Sequence, residues 1–308
     1  MSHAEPYLQT YWDWRAAGNF ILGGTGSGLL VFATLAVSYD ANPASIVLAS
    51  LVGIGAGLGL VWHELGRRLR AMNVFRQPQM SWMTRESYAA VLTFLLGLAA
   101  AWTQDRTLVV MAGLAALLFL YCQGRMLRAS KGIPVWRETR VSPLIVVTGL
   151  AEGAAALVLV SAILHNAGLI AREPYIEIHK AAAAYALSLL LLLRAIAWAI
   201  YYRRIKLNAP IAAVRVLSRL QPYFLGLGHG LPLVCLAVGF GRGFATEWSA
   251  VFAALLAIAG GWLFKFSLVT RASYTQGFAI PRRPARGPRG SSGKGAKPGW
   301  TVRNGKGD

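Results

Sequence analysis

Residues 44–66 read ASIVLASLVGIGAGLGLVWHELG, and this stretch decides the fold. No charged side chain occurs between Ser45 and Trp62. A helix needs about 20 such residues to cross roughly 30 Å of hydrocarbon, and this run has the required length. Its apolar residues do not alternate, so it lacks the two-residue period of a membrane β-barrel strand. Lipid offers the backbone no hydrogen bonds, so a spanning segment satisfies its own amides as a helix.

Seven further runs share this character: 16–39, 85–103, 107–125, 141–165, 177–202, 219–241 and 248–270. They predict an all-α, polytopic bundle of about eight transmembrane helices, forming one integral membrane domain over residues 1–270. The third and fourth runs are the shortest, joined by a tight turn near Gln104–Arg106. Residues 271–308 read as a basic, Gly/Pro-rich tail, with disorder expected over 285–308. Composition agrees: 56 % of the 308 residues are hydrophobic and 14 % charged, too few charges to cover a soluble protein of this size. The first fifteen residues carry Trp12, Asp13 and Trp14 in place of a basic n-region, so no cleavable signal peptide is expected. Cys122 and Cys235 lie far apart inside apolar runs and read as small packing residues.

A net charge of +19 raises the question of nucleic acid, but its distribution points to a bilayer and to no nucleic-acid partner. Eight crossings put both termini and three loops on one side, and those segments hold 25 of the 31 Lys and Arg. The opposite loops hold only Arg106, Arg172, Lys180 and Arg242. Basic segments resist translocation, so the basic side is cytoplasmic and both termini lie there. The expected location is a bacterial inner membrane, with multiple passes.

The first span carries Gly18, Gly23, Gly24, Gly26 and Gly28, and the second Gly53, Gly55, Gly57 and Gly59. Small residues at such spacings let two membrane helices approach closely. No Lys-Ser/Thr follows them, which excludes a soluble phosphate loop.

The stretch that carries chemistry is WHELGRRLRAMNVFRQPQMSWMTRE, Trp62 to Glu86. It gathers His63, Glu64, Asn73, Trp82, Glu86 and five arginines into one connection on the cytoplasmic side. A site that exchanges two electrons and two protons with a quinone needs an apolar slot, hydrogen-bonding groups at the ring oxygens and a titratable route to water. Histidine and carboxylate at an interfacial helix end can supply the last two. The plainer reading is an arginine-rich loop held to lipid headgroups by Arg and Trp anchors.

ELGRRLRAMN followed by SWMTRE resembles the pattern (H/E)-L-G-x-P-x-R-A-x-N … S-x-x-(S/T)-x-E of the DMSO-reductase membrane-anchor family, which includes the polysulfide- and nitrite-reductase type quinone-interacting subunits. RMLRASKGIPVWRETRVSP, with its P-x-W at Pro134–Trp136, is similar to that family's connection after the fourth span. The resemblance covers spans one to five, and the remainder mainly through helix count. It implies a haem-free, metal-free eight-helix subunit that exchanges electrons with quinone. Such a subunit anchors a molybdopterin catalytic subunit and an iron–sulfur electron-transfer subunit. Position by position, the family's histidine falls on Glu64, with His63 just before it. Arg70, Asn73 and Glu86 match directly, and Arg68 stands in place of the proline. On this basis His63, Glu64, Arg70, Asn73, Trp82 and Glu86 are the expected quinone site, and Arg67, Arg68, Arg76, Arg128 and Trp136 the expected partner-docking residues. Helical neighbours point about 100° apart, so His63 and Glu64 cannot face one slot equally. WDWRAAGNF near the start and RASYTQGFAIPRRPARG near the end are similar to the anchor of phenylacetyl-CoA:acceptor oxidoreductases within the family, which would suit a cytoplasmic catalytic side.

Ionisable residues inside membrane spans are costly and are functional candidates by default. Glu152, Arg194 and His229 form a candidate proton path or a structural ion pair, while Lys265 is expected to snorkel to the inner face. His165 and His179 lie at outer span ends, where a macrocycle would be poorly covered, so no haem is expected. The alternative function is a secondary transporter for a small anion lined by Arg194, Glu152 and His229. Such proteins usually show internal repeats, and the two halves of this chain are not similar.

Overall fold

The computed structural model describes residues 2–37, 44–65, 68–166, 174–241 and 247–280. Among them, eight helices are long and apolar enough to cross a membrane. They are α1 (Trp14–Thr34), α2 (Ala44–Glu64), α3 (Trp82–Thr103), α4 (Arg106–Ala129), α5 (Val141–Leu164), α6 (Ala182–Asn208), α7 (Ile211–Phe240) and α8 (Trp248–Arg271). The chain is an all-α, multi-pass membrane bundle. Its outward faces carry exposed Leu95, Leu98, Trp102, Leu114 and Leu189, the reverse of a soluble domain and the pattern lipid requires.

Helices α1 and α5 form the centre and are the most buried of the eight, whereas α2, α3, α6 and α7 leave most of their residues unburied. α1 packs on α2, α4 and α5, and α5 also packs on α6 and α8. Glycine permits these approaches. A side chain at Gly28 would strike Gly149 O and lie 3.0 Å from Gly153 Cα, and one at Gly26 would lie 2.7 Å from Ser50 O. The turn between α3 and α4 uses Gln104 at φ 57° as a left-handed cap, and Asp105 caps α4 by accepting from Leu108 N at 3.0 Å.

Several boundaries differ from the sequence expectation, and two of them have a direct cause. α3 starts at Trp82 because Ser81 caps it, accepting from Thr84 N. α7 starts at Ile211, eight residues before Arg219, because its first turns are amphipathic and not wholly apolar. There Ala213, Leu217, Leu220 and Phe224 form a buried stripe at helical spacing, and Arg215 and Arg219 lie off it.

The N-terminal and C-terminal segments are joined. Strand β1 (Ser2–Ala4) pairs antiparallel with β2 (Phe278–Ile280), Gln9 N donates to Ser273 O, and Thr275 N donates to Tyr7 O. Gln276 N reaches Gly132 O in the α4–α5 connection. Residues 271–280, expected to belong to the tail, are therefore built into the fold by backbone pairing that composition does not reveal. Residues 281–308 lie outside the described residues.

Candidate functional site

A cavity of about 800 Å³ opens where α1, α2 and α3 meet the α2–α3 connection. Its walls are mainly apolar and aromatic (Phe20, Leu58, Val61, Val74, Met83 and Met126 with Trp12 and Trp62), and its polar groups are Asn19, Glu64, Glu86 and Ser87. This is the size and lining of a small-molecule site. Trp12 and Leu65 place it at the end of the bundle that holds the two terminal segments and the basic connections.

Each polar group is positioned by its element. Glu64 is the last residue of α2 and is half-buried. Asp13 and Arg15 are near enough to act on it electrostatically. Asp13 caps α1, accepting from Arg15 N at 2.8 Å and gripping the Arg15 guanidinium at 2.8 Å. That hydrogen bond holds the Asp13 carboxyl below the ordinary carboxylate range. Glu86 lies in the second turn of α3 and is buried. Its Oε1 accepts from Asn19 Nδ2 at 3.2 Å, and among the described residues no cation pairs with it. Asn19 opens a π-helical turn in α1, Asn19–Gly23, and its backbone O accepts from Gln123 Nε2 of α4 at 3.0 Å. Asn19 Oδ1 and Gln123 Oε1 are buried with no protein partner.

The expected site residues separate on this geometry. Glu64 and Glu86 share the cavity, whereas His63 and Asn73 are exposed and do not line it. The Glu64 side of the α2 terminus thus faces the slot, and His63 points elsewhere. Trp82 is not a wall either: it sits between the guanidinium groups of Arg85 and Arg125, 4.3 and 4.4 Å from its ring. Arg67 lies outside the described residues, as do the side chains of Arg68 and Arg70. Arg76 is exposed and Arg128 half-buried. Trp136, expected at the docking surface, is buried; its Nε1 donates to Leu268 O at 2.9 Å and its ring stacks on Trp12 at 5.0 Å. It supports the cavity wall from behind. Trp12, Asn19 and Gln123 were not legible as site residues: the first two sit in the quoted WDWRAAGNF stretch, and Gln123 is a lone amide in an apolar run.

A second polar group lies deeper. Lys265 Nζ donates to Glu152 Oε2 at 2.7 Å, with neither side chain exposed. Thr25 Oγ1 donates to the same oxygen at 2.8 Å and accepts from Trp262 Nε1. Glu152 therefore pairs with Lys265, which does not snorkel. Arg194 instead donates to His229 Nε2 at 2.9 Å, to Ala257 O and to Gly228 O. Because arginine only donates and the Phe224 carbonyl only accepts, His229 is neutral, with its proton on Nδ1. The side chains of His165 and His179 lie outside the described residues. Among the described residues no three His, Cys, Asp or Glu side chains gather as a metal site. No known family model matches this chain, and no curated protein matches it in sequence.

Proposed function

We propose that this chain is the quinone-interacting membrane anchor of a molybdopterin/iron–sulfur oxidoreductase. It sits in a bacterial inner membrane with both termini in the cytoplasm and carries neither haem nor metal. The observation that carries this reading is that Glu64 and the buried Glu86 face one apolar, aromatic-walled cavity at the basic end of the bundle. Reduction of a quinone takes two electrons and places one proton on each ring oxygen. In the assembled complex an iron–sulfur cluster of the partner would exchange these electrons with the quinone. The chain's own part is to seat the ring among Trp12, Trp62 and Phe20 and to exchange protons at the Glu64 and Glu86 carboxyls. Exposed Arg76 and the other basic connections suit an acidic partner surface at the same end. SWMTRE, which carries part of the family resemblance, and WDWRAAGNF, which carries the narrower one, contribute to the cavity through Met83 and Glu86 and through Trp12, Ala16, Asn19 and Phe20. In its finer form the proposal gives the catalytic partner a cytoplasmic CoA thioester as substrate.

In membranes that hold the assembled complex, Glu86→Gln keeps the shape and removes the titration. General acid–base groups typically contribute ~10²–10⁴-fold, so quinone-coupled turnover is expected to fall by about tenfold or more. Dye-linked activity of the catalytic partner should stay unchanged. Full retention of quinone turnover, or equal loss of both activities, rejects the assignment.

A further inference from the structure

Between the cavity and the Lys265–Glu152 pair, buried polar atoms follow one another with glycine beside them at each step. Gly23 would place a side chain 2.9 Å from Gln123 Nε2 and 3.2 Å from Asn19 Oδ1. At Gly24 the same position lies 3.5 Å from Gln123 Oε1 and hard against Lys265 Nζ, so those two polar atoms are within the reach of a single bridging water. Past the lysine, Gly261 lies against Glu152 Oε1, the carboxyl oxygen that neither Lys265 nor Thr25 occupies. Three acceptors along this file are buried without a protein partner: Asn19 Oδ1, Gln123 Oε1 and Glu152 Oε1. In folded proteins such atoms are satisfied by buried water.

We infer that a proton relay runs from the cavity into the interior of the bundle, from Glu86 past Asn19 and Gln123 to the Lys265–Glu152 pair. The relay rests on the geometry of the file alone, whatever molecule the cavity receives. In the inward step the O–H bond of Glu86 breaks, the proton passes along water held by the two amides, and an O–H bond forms at Glu152 Oε1. Lys265 gives up one ammonium hydrogen for each it takes back from the water in the gap, so it stays an ammonium that holds Oε2, and no electron moves. The return step is the reverse. The groups that face the pair are few: Thr25 from α1, Gln123 from α4 through the gap at Gly24, Trp262 from α8, and Arg194 from α6, which acts on both members at longer range. Arg194 and His229 are committed to each other and to backbone carbonyls, so they are not members of the relay. Glu86 is its end at the cavity.

The test uses the full-length chain in lipid nanodiscs with no quinone added. With nitrogen-15 lysine, magnetic resonance measures how fast the Lys265 ammonium hydrogens exchange with water, and Lys265→Arg identifies the signal. Gln123→Leu and Glu86→Gln are each expected to slow exchange by roughly tenfold or more. Gln123→Glu, which restores a polar atom at the gap, should exchange as the unmodified chain does. Thr93→Val, which removes a buried hydroxyl bonded to Ala89 O within α3, should leave the rate unchanged. An unchanged rate in either Gln123→Leu or Glu86→Gln overturns the relay, as does an equal slowing in Thr93→Val. Because exchange is read without quinone, slowed exchange in Glu86→Gln together with unchanged quinone turnover of the assembled complex rejects the quinone assignment and leaves the relay standing.

Discussion

Lys265 and Glu152 show what a single contact decides inside this bundle. Their 2.7 Å bond joins two fully buried charges, and removing one partner leaves the other buried without its counter-charge. Lys265→Met is therefore expected to destabilise the chain by about 3–5 kcal/mol. Adding Glu152→Gln should recover most of that loss, because the double variant buries no charge. Unfolding of the single and double variants in one detergent checks this, and equal losses would show that the pair is not the source. The sequence marked both residues as membrane-embedded and ionisable, but it placed Glu152 beside Arg194 or His229 and sent Lys265 to the headgroups. Depth along a helix is visible in a sequence, whereas azimuth relative to another helix is not. The same ambiguity held between His63 and Glu64, one residue and about 100° apart, and only packing turned Glu64 toward the cavity.

At the scale of elements, the π-helical turns explain where the bundle finds its polar contacts. Among the described residues such turns occur at Asn19–Gly23, Gly226–Gly230 and Ser267–Arg271. Near each, a side chain from another part of the chain takes a backbone carbonyl: Gln123 takes Asn19 O, Arg194 takes Gly228 O, and Trp136 and Gln9 take Leu268 O and Val269 O. A widened turn loosens the helical ladder and turns a carbonyl outward, which is how apolar helices supply acceptors without polar side chains. No residue pattern announced these turns. The glycine stripes were readable, because close approach demands small residues at fixed spacing. Gly28→Ala is expected to cost about 1–3 kcal/mol, since its new carbon meets the backbone of Gly149. Gly59 has nothing within 4 Å, so Gly59→Ala should stabilise by roughly 0.5–1 kcal/mol through helix propensity. Melting temperatures of the two variants should move in opposite directions, and a shared loss would assign the glycines another role.

At the scale of the molecule, the terminal segments, the α2–α3 connection and the α4–α5 connection converge on one end, as an even number of crossings requires. The basic residues cluster there too, so the orientation proposed from charge also fixes the side from which a partner would approach. A reporter active only outside the cytoplasm should be silent when fused after Asp308 and active when inserted within residues 168–174. The opposite outcome would move the cavity to the outer face and exclude a cytoplasmic partner. Span number and fold class were legible because apolar length is a local property of sequence. The cavity was legible only in part. Glu64 and Glu86 lie in one quoted stretch, but the walls come from Trp12 and Met126, on elements that meet only in the folded chain.

The contacts of Gln9 impose an order on biosynthesis. Its amide Nε2 donates to Trp12 O, to Val269 O and to Ser273 Oγ, which ties the ring that walls the cavity to the last helix of the bundle. A ribosome delivers Trp12 261 residues before Ser273, so the earliest wall residue waits without this brace while all eight spans are made. Until Val269 and Ser273 arrive, nothing ties the Trp12 segment to the last span. Maturation of the site thus waits on that span, and a chain that stops short of Val269, however many helices it has threaded, lacks the brace on the cavity wall.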